Sequence, residues 1–231
     1  MTPAEFDRFA RSYDQDLAKS LAVTGEDRTY YAQRRIDWTV QCCARLQHPV
    51  KRILDYGCGD GANAPMLAAG FKAQQVLGVD VSRDSIAVAR EMNYGAASSF
   101  LCTDEWTPDG TMDLAFTNGV FHHILPAERR ACLEAIRRAL RPGALFAFWE
   151  NNPWNPGTRY VMSQCAFDEN AITISPREAR RLVRTAGFEI LRMDSLFYFP
   201  RSLRFLRPAE RWLRAAPFGG QYLILGQSSS R

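Results

Sequence analysis

From about residue 50 onward, short apolar runs alternate with longer stretches whose apolar positions recur every three or four residues. KRILDYG (51–57), VLGVD (76–80), SSFLC (98–102), DLAFTNG (113–119) and ALFAFWE (144–150) carry little polar alternation, the pattern of strands buried on both faces. Between them, SRDSIAVAREMN (82–93) opens on Ser82 as an N-cap and sets Ile86, Ala89 and Met92 at helical spacing. PAERRACLEAIRRAL (126–140) begins with Pro126, aligns Cys132, Ile136 and Leu140, and stops at Arg141-Pro142-Gly143. Buried strands separated by helices predict an α/β chain: a doubly wound, mostly parallel sheet with helices on both faces. Residues 3–46 read as two helices and 176–186 as another. FEILRMDSLFYF (188–199) and QYLILGQ (221–227) read as late strands joined by a long insertion.

Composition narrows the class without naming it. The 231 residues are 46% hydrophobic and 23% charged, ample for a buried core in one domain spanning 1–231. A net charge of +4, with basic residues scattered outside one C-terminal cluster, gives no reason to expect a nucleic-acid partner. The N-terminal MTPAEFDRFARSYDQD lacks the apolar segment of a signal peptide, and no apolar run approaches the ~20 residues of a membrane span. Six cysteines occur without a C-x-x-C pair, so they read as reduced core residues and the setting as cytoplasmic.

The segment Ile53-Leu54-Asp55-Tyr56-Gly57-Cys58-Gly59-Asp60-Gly61-Ala62 is a strand running into a glycine-rich turn before a helix. Glycine there lets the backbone take positive φ and lets a ligand approach without meeting a Cβ. The next strand ends at Asp80, whose carboxylate can accept hydrogen bonds from both hydroxyls of a ribose. Gly57, Gly59 and Ala62 also fit the dinucleotide fingerprint, so a nicotinamide oxidoreductase of Rossmann type is a rival. Asp55 separates the two: a carboxylate at the strand end repels a pyrophosphate and attracts an ammonium or sulfonium group.

The run D-Y-G-C-G-D-G, with GVDVS (78–82), TDEW (103–106), DLAFTNGVFHHI (113–124) and LRPGALFAFWE (140–150), resembles the signature of class I S-adenosylmethionine-dependent methyltransferases. The resemblance covers roughly residues 50–150. It implies a seven-stranded sheet with an antiparallel last strand, and a cofactor-binding core at 50–150. Residues 1–46 would then be a helical lid, and 151–231 the substrate side. Asp55, Gly57, Cys58, Gly59 and Gly61 would form the cofactor loop, Asp80 would hold the ribose, and Val81 would pack on the adenine. Asp104, with Glu105 beside it, would read the adenine amino group, and Asn118 would lie by the methionine moiety. Tyr31 and Arg35 would meet the cofactor carboxylate. A methyltransferase-like scaffold without catalysis is a further alternative, opposed by the intact glycine and acidic positions.

Methyl transfer chiefly needs an oriented nucleophile, helped by a base where the acceptor is a hydroxyl or amine. His122 and His123 follow the fourth strand, at the edge where such sheets bind ligands. The His-His-Ile segment resembles that of small-molecule methyltransferases, which points to His122 as the base, and Glu150 at the end of the next strand could orient it. His48 reads as structural. No metal-ligand spacing is present, so no metal is expected. In NNPWNPGTRY (151–160), Asn151, Asn152, Trp154, Asn155, Arg159 and Tyr160, with Tyr13 from the lid, suggest a polar pocket for a sugar-like small-molecule acceptor, oxygen being the favoured target. Arg201, Arg204, Arg207, Arg211 and Arg214 recur at steps of three or four. On two short helices split at Pro208 they would form a basic stripe able to meet an anionic membrane or a lipid-linked substrate. The oligomeric state is left open.

Overall fold

The computed structural model describes residue 7 and residues 13–229. One seven-stranded sheet runs in the order β3-β2-β1-β4-β5-β7-β6, with β1 Arg52–Tyr56, β2 Gln75–Asp80, β3 Ser98–Cys102, β4 Met112–Asn118, β5 Leu140–Asn151, β6 Phe188–Leu196 and β7 Gln221–Ser228. The first five strands pair in parallel, and β7 is antiparallel to both β5 and β6. Strand order reverses between β1 and β4, so a crevice opens outside their carboxyl ends, the place where doubly wound sheets take ligands.

Both faces of the sheet are covered, which is why the strands lack polar alternation. Leu145, Ala147 and Trp149 of β5 join a core with Ile36, Leu67 and Ile86 from helices Arg28–Arg45, Ala64–Phe71 and Arg83–Glu91. Phe146 and Phe148, pointing the other way, pack with Leu133, Ile136 and Val183 from helices Arg129–Ala139 and Pro176–Thr185. The polar tips of the large buried aromatics find partners: Trp149 Nε1 donates to Thr39 Oγ1 (3.0 Å) and the Tyr222 hydroxyl donates to the Ile174 carbonyl (2.8 Å).

Boundaries shift where local bonding competes. Ser82 does cap its helix, accepting from the Ser85 amide at 3.1 Å. The helix expected from Pro126 begins at Arg129, because the Leu125 carbonyl first closes a turn onto the amides of Glu128 and Arg129. The late strand stops at Leu196 rather than Phe199. Phe197 sits at φ +65°, outside strand geometry, and is held there by packing on Tyr31 and Trp149. The insertion is a 3₁₀ run, Arg201–Ala209, continuing into a single α-turn, Glu210–Leu213. Its arginines do not form one stripe. Arg207 turns inward to Glu26 (2.8 Å) and over the Tyr30 ring, and Arg214 lies over Trp38, leaving Arg201, Arg204 and Arg211 exposed.

Candidate active site

At the end of β1 the chain turns through Gly57 (φ +76°), Gly59 (φ +54°) and Gly61 (φ +77°). A Cβ on Gly57 would meet Val120 at 2.4 Å and one on Gly61 would meet Phe100 at 2.6 Å, so both are required by packing. A Cβ on Gly59 would meet nothing within 4 Å, because Gly59 faces a cavity of about 240 Å³ that Cys58, Asp80, Val81 and Asn118 also line. Asp80 ties this loop down, accepting from the amides of Gly59 (2.8 Å) and Ser82 (2.9 Å). Burial raises its pKa.

Asp55 lies fully buried under the loop. One carboxylate oxygen has no hydrogen-bond partner among the described residues, and burial, with Asp80 adding repulsion, pushes the carboxyl up to about 7. Asp55 does not itself border the cavity, but a desolvated, incompletely bonded acid beneath the loop favours a cation above it. The open face at Gly59 and the orphaned oxygen of Asp55 together fit S-adenosylmethionine, which carries a sulfonium and an ammonium.

Other expected cofactor residues are placed differently. Asp104 is turned outward into an ion pair with Arg83 and does not line the cavity; Thr103 does. Glu105 accepts from the Cys102 amide (3.1 Å) and pairs with Arg90 (2.9 Å), closing the turn after β3. Arg35, 5% exposed, borders both this cavity and a second one, and donates to Gln221 Oε1 (2.8 Å). Tyr31 borders only the second. The sequence reading missed Arg28, whose guanidinium grips Asp60 with two bonds of 2.8 and 2.6 Å and fastens the helix Arg28–Arg45 to the glycine loop. Nothing in the spacing of two residues 32 apart signals that pair.

The second cavity, about 410 Å³, is bordered largely by apolar side chains, among them Leu17, Leu21, Met162, Phe167 and Phe197. It shares Asn118, Gly119 and His123 with the first. His122 lies in its wall. The imidazole Nδ1 meets Glu150 Oε1 at 2.6 Å, and the His122 amide donates to Glu150 Oε2 at 3.2 Å. Nε2 faces Asp168 Oδ1 at 3.3 Å, and His123 Nε2 lies 3.4 Å from that same oxygen. Burial opposes a charge on His122, but Glu150 and Asp168 outweigh it and push its pKa up to about 10. His123 goes the other way, down to about 2, through burial and the neighbouring His122. His122, expected as a base oriented by Glu150, has Glu150 on Nδ1 and also Asp168 on Nε2, so both ring nitrogens are engaged by carboxylates. Asp168, in the 3₁₀ turn Ala166–Asp168, was missed because it reaches the histidines only through the fold.

The asparagine-rich segment only partly faces the chamber. Asn152 is buried and donates to the carbonyls of Pro217 (2.9 Å) and Gly219 (2.7 Å). Asn155 accepts from the Thr158 amide (2.9 Å), capping a helix, Pro156–Ser163, and donates to Phe218 (2.8 Å). These amides hold the 217–219 segment in place of a ligand. Trp154 lies outside the chamber under the Arg177 guanidinium, and Arg159 borders a separate surface depression. Asn151, Asn155 and Tyr160 alone of the group border the chamber. The side chain of Tyr13 lies outside the described residues.

Residues 53–143 match the family model for a methyltransferase domain. A trans-aconitate 2-methyltransferase of Acidovorax sp. (strain JS42) is 27% identical over 157 residues, which cover 66% of this chain and 60% of that one. A fatty-acid O-methyltransferase of Mycolicibacterium smegmatis is 28% identical over 149 residues, 62% of this chain and 49% of that one. The chain thus spans about half to three-fifths of the length of these relatives. A structure of the complex between the Haloferax volcanii Trm112 methyltransferase activator and a methyltransferase shares the fold. Its TM-score is 0.66 at 21% identity, and the match covers 97% of this chain and 98% of that one.

Proposed function

Because its core is a class I S-adenosylmethionine-dependent methyltransferase domain, we propose that the chain methylates a small acceptor with a nucleophilic oxygen on an apolar body. The observation carrying this reading is the pair of adjoining cavities: one ends on the glycine loop and Asp80, and the other joins a mainly apolar wall to polar groups that include Arg28, Arg35, Asn118, Asn151 and, clustered with Glu150, His122 and Asp168. When bound, S-adenosylmethionine supplies an electrophilic methyl group. The chain's part is to hold the acceptor oxygen near the shared wall at Asn118 and Gly119, to exclude water with Leu17 and Leu21, and to accept a proton at the cluster. Glu150 anchors His122, and His122 holds Asp168 toward the chamber, so the cluster serves as one proton sink in place of a lone histidine. The apolar lining favours a hydroxyl or carboxyl on a hydrocarbon or aromatic body over a sugar. The carboxyl target agrees with the acids named for the two relatives, and the apolar body with the fatty acid alone.

The chamber mouth supports a lipid setting. Phe199 and Pro200 line the chamber, and the insertion beyond them exposes Phe205 (71%) and Trp212 (68%) beside Arg204 and Arg211. Aromatic side chains set among arginines suit an anionic bilayer surface. Among the described residues no helix is long and apolar enough to cross a membrane. The six unpaired cysteines, five of them buried, support a reducing, cytoplasmic setting. A Rossmann oxidoreductase is disfavoured, because buried Asp55 opposes a pyrophosphate at the loop.

The test is transfer of labelled methyl from S-adenosylmethionine across a panel of hydrophobic hydroxy compounds, hydrophobic carboxylic acids, sugars and amines. Label is expected in one of the first two groups, with Asp168→Asn lowering kcat by about 10²–10⁴-fold at unchanged cofactor affinity. Label confined to sugars or amines would contradict the acceptor class.

A further inference from the structure

We propose that His122, His123 and Asp168 form a binding site for a divalent cation of the zinc class, opening onto the acceptor chamber. The three residues offer two imidazole nitrogens and a carboxylate oxygen, all within 4.8 Å of one another, and all three border the chamber. Imidazole with carboxylate is a donor set suited to zinc, cobalt, nickel or iron more than to magnesium or calcium.

Distance supports the same assignment. The Nε2 atoms of His122 and His123 stand 3.3 and 3.4 Å from Asp168 Oδ1. Charge-assisted N–H···O bonds close to about 2.7–2.9 Å, and the neighbouring His122 Nδ1–Glu150 contact does reach 2.6 Å. Ligands at about 2.0–2.2 Å from a tetrahedral ion lie about 3.3–3.6 Å apart, which matches the two longer separations. The Glu150 contact is itself informative. A metal ion would displace the proton that Asp168 helps to hold on Nε2; with Nδ1–H still given to Glu150, the freed lone pair is then on the nitrogen aimed at Asp168. That is how a carboxylate behind a metal-binding histidine fixes its tautomer. His123, adjacent in sequence, turns its own Nε2 to the same oxygen, so the sequence pair His-His converges on one point with an acid supplied 45 residues further on.

Three protein ligands leave a fourth position open, the hallmark of a catalytic site as opposed to a structural one. An acceptor hydroxyl bound there would lose its proton more readily, as water does on zinc, and a carboxylate would be held as an anion. This catalytic role rests on the methyl-transfer reading; occupancy of the site does not.

The experiment is a titration of cobalt(II) into chelator-treated protein, followed by visible absorption, with zinc and magnesium as competitors. One equivalent should bind with the intense visible bands of a low-coordinate cobalt site, zinc should displace it, and magnesium in large excess should not. His123→Ala and Asp168→Asn should each weaken binding at least tenfold while S-adenosylhomocysteine still binds. Glu150→Gln should weaken it by about 10–100-fold. If His123→Ala loses S-adenosylhomocysteine as well, His123→Cys, which keeps a ligand, should hold cobalt and add a sulfur-to-metal band. Wild-type protein that takes up no stoichiometric cobalt, or ligand variants that bind it as tightly as wild type, would overturn the site. Cobalt binding with no methyl transfer to any acceptor would leave the site standing and count against the function alone.

Discussion

Asp55 shows how one residue can work against the fold and for the ligand. Its folded-state pKa of about 7 stands above the ordinary carboxylate value of 3.8. The native state therefore binds the extra proton between those values. The stability this contributes is fully present below about pH 4, is lost as pH rises toward 7, and is gone above it. Asp55→Asn should accordingly raise the unfolding free energy from urea titration at pH 8, by on the order of 4 kcal/mol, and leave it unchanged near pH 4. The same variant should weaken S-adenosylhomocysteine, whose ammonium the carboxylate attracts, and in wild-type protein affinity for that ligand should rise between pH 6 and 8. Unfolding free energies that stay equal at both pH values would show that the buried charge costs nothing. The placement of Asp55 under the loop was legible in the sequence because strand end and glycines are contiguous. Asp168 and Arg28 were not, since each acts on residues brought near only by the closed fold.

Among the elements, the glycine loop and the asparagine-rich segment differ in how far sequence pattern gave their role. In the loop, strand, turn and helix follow one another, so each glycine could be tied to a turn, and the structure then sorts them. Gly59→Ala should cost roughly 1–2 kcal/mol for its left-handed φ, without a steric clash. Its larger effect should be on S-adenosylhomocysteine affinity, since the new methyl enters the cavity. Gly61→Ala, which drives a methyl into Phe100, should instead lower the Tm sharply. Calorimetry and thermal melts on the two variants distinguish these outcomes. The asparagine segment has ligand-like chemistry, but its amides are taken up by the carbonyls of Pro217, Phe218 and Gly219. No spacing rule links residues some 65 positions apart. Asn152→Ala removes two of those bonds and should cost about 1–3 kcal/mol in chemical denaturation; a loss of acceptor affinity at unchanged stability would restore the polar wall.

At the scale of the whole molecule, alternating apolar runs and helices were enough to give the doubly wound sheet, because its central strands β1, β2, β4, β5 and β7 are buried on both sides while only the edge strands β3 and β6 are partly exposed. The acceptor chamber was harder to foresee, as it is assembled from the N-terminal helices, the segment after β5 and the insertion before β7. The exposed aromatics Phe205 and Trp212 of the insertion should mediate binding to vesicles containing anionic lipid. Replacing both with alanine should abolish sedimentation with such vesicles at low salt; wild-type protein that ignores them would remove the lipid setting and leave the two-cavity account intact. That account stands most directly on the first cavity. Titration calorimetry of S-adenosylhomocysteine should give one site per chain, with Asp80→Ala weaker by about 1.5–3 kcal/mol, the worth of hydrogen bonds to a charged group. Absence of binding to the wild type, or equal affinity in the variant, would contradict it.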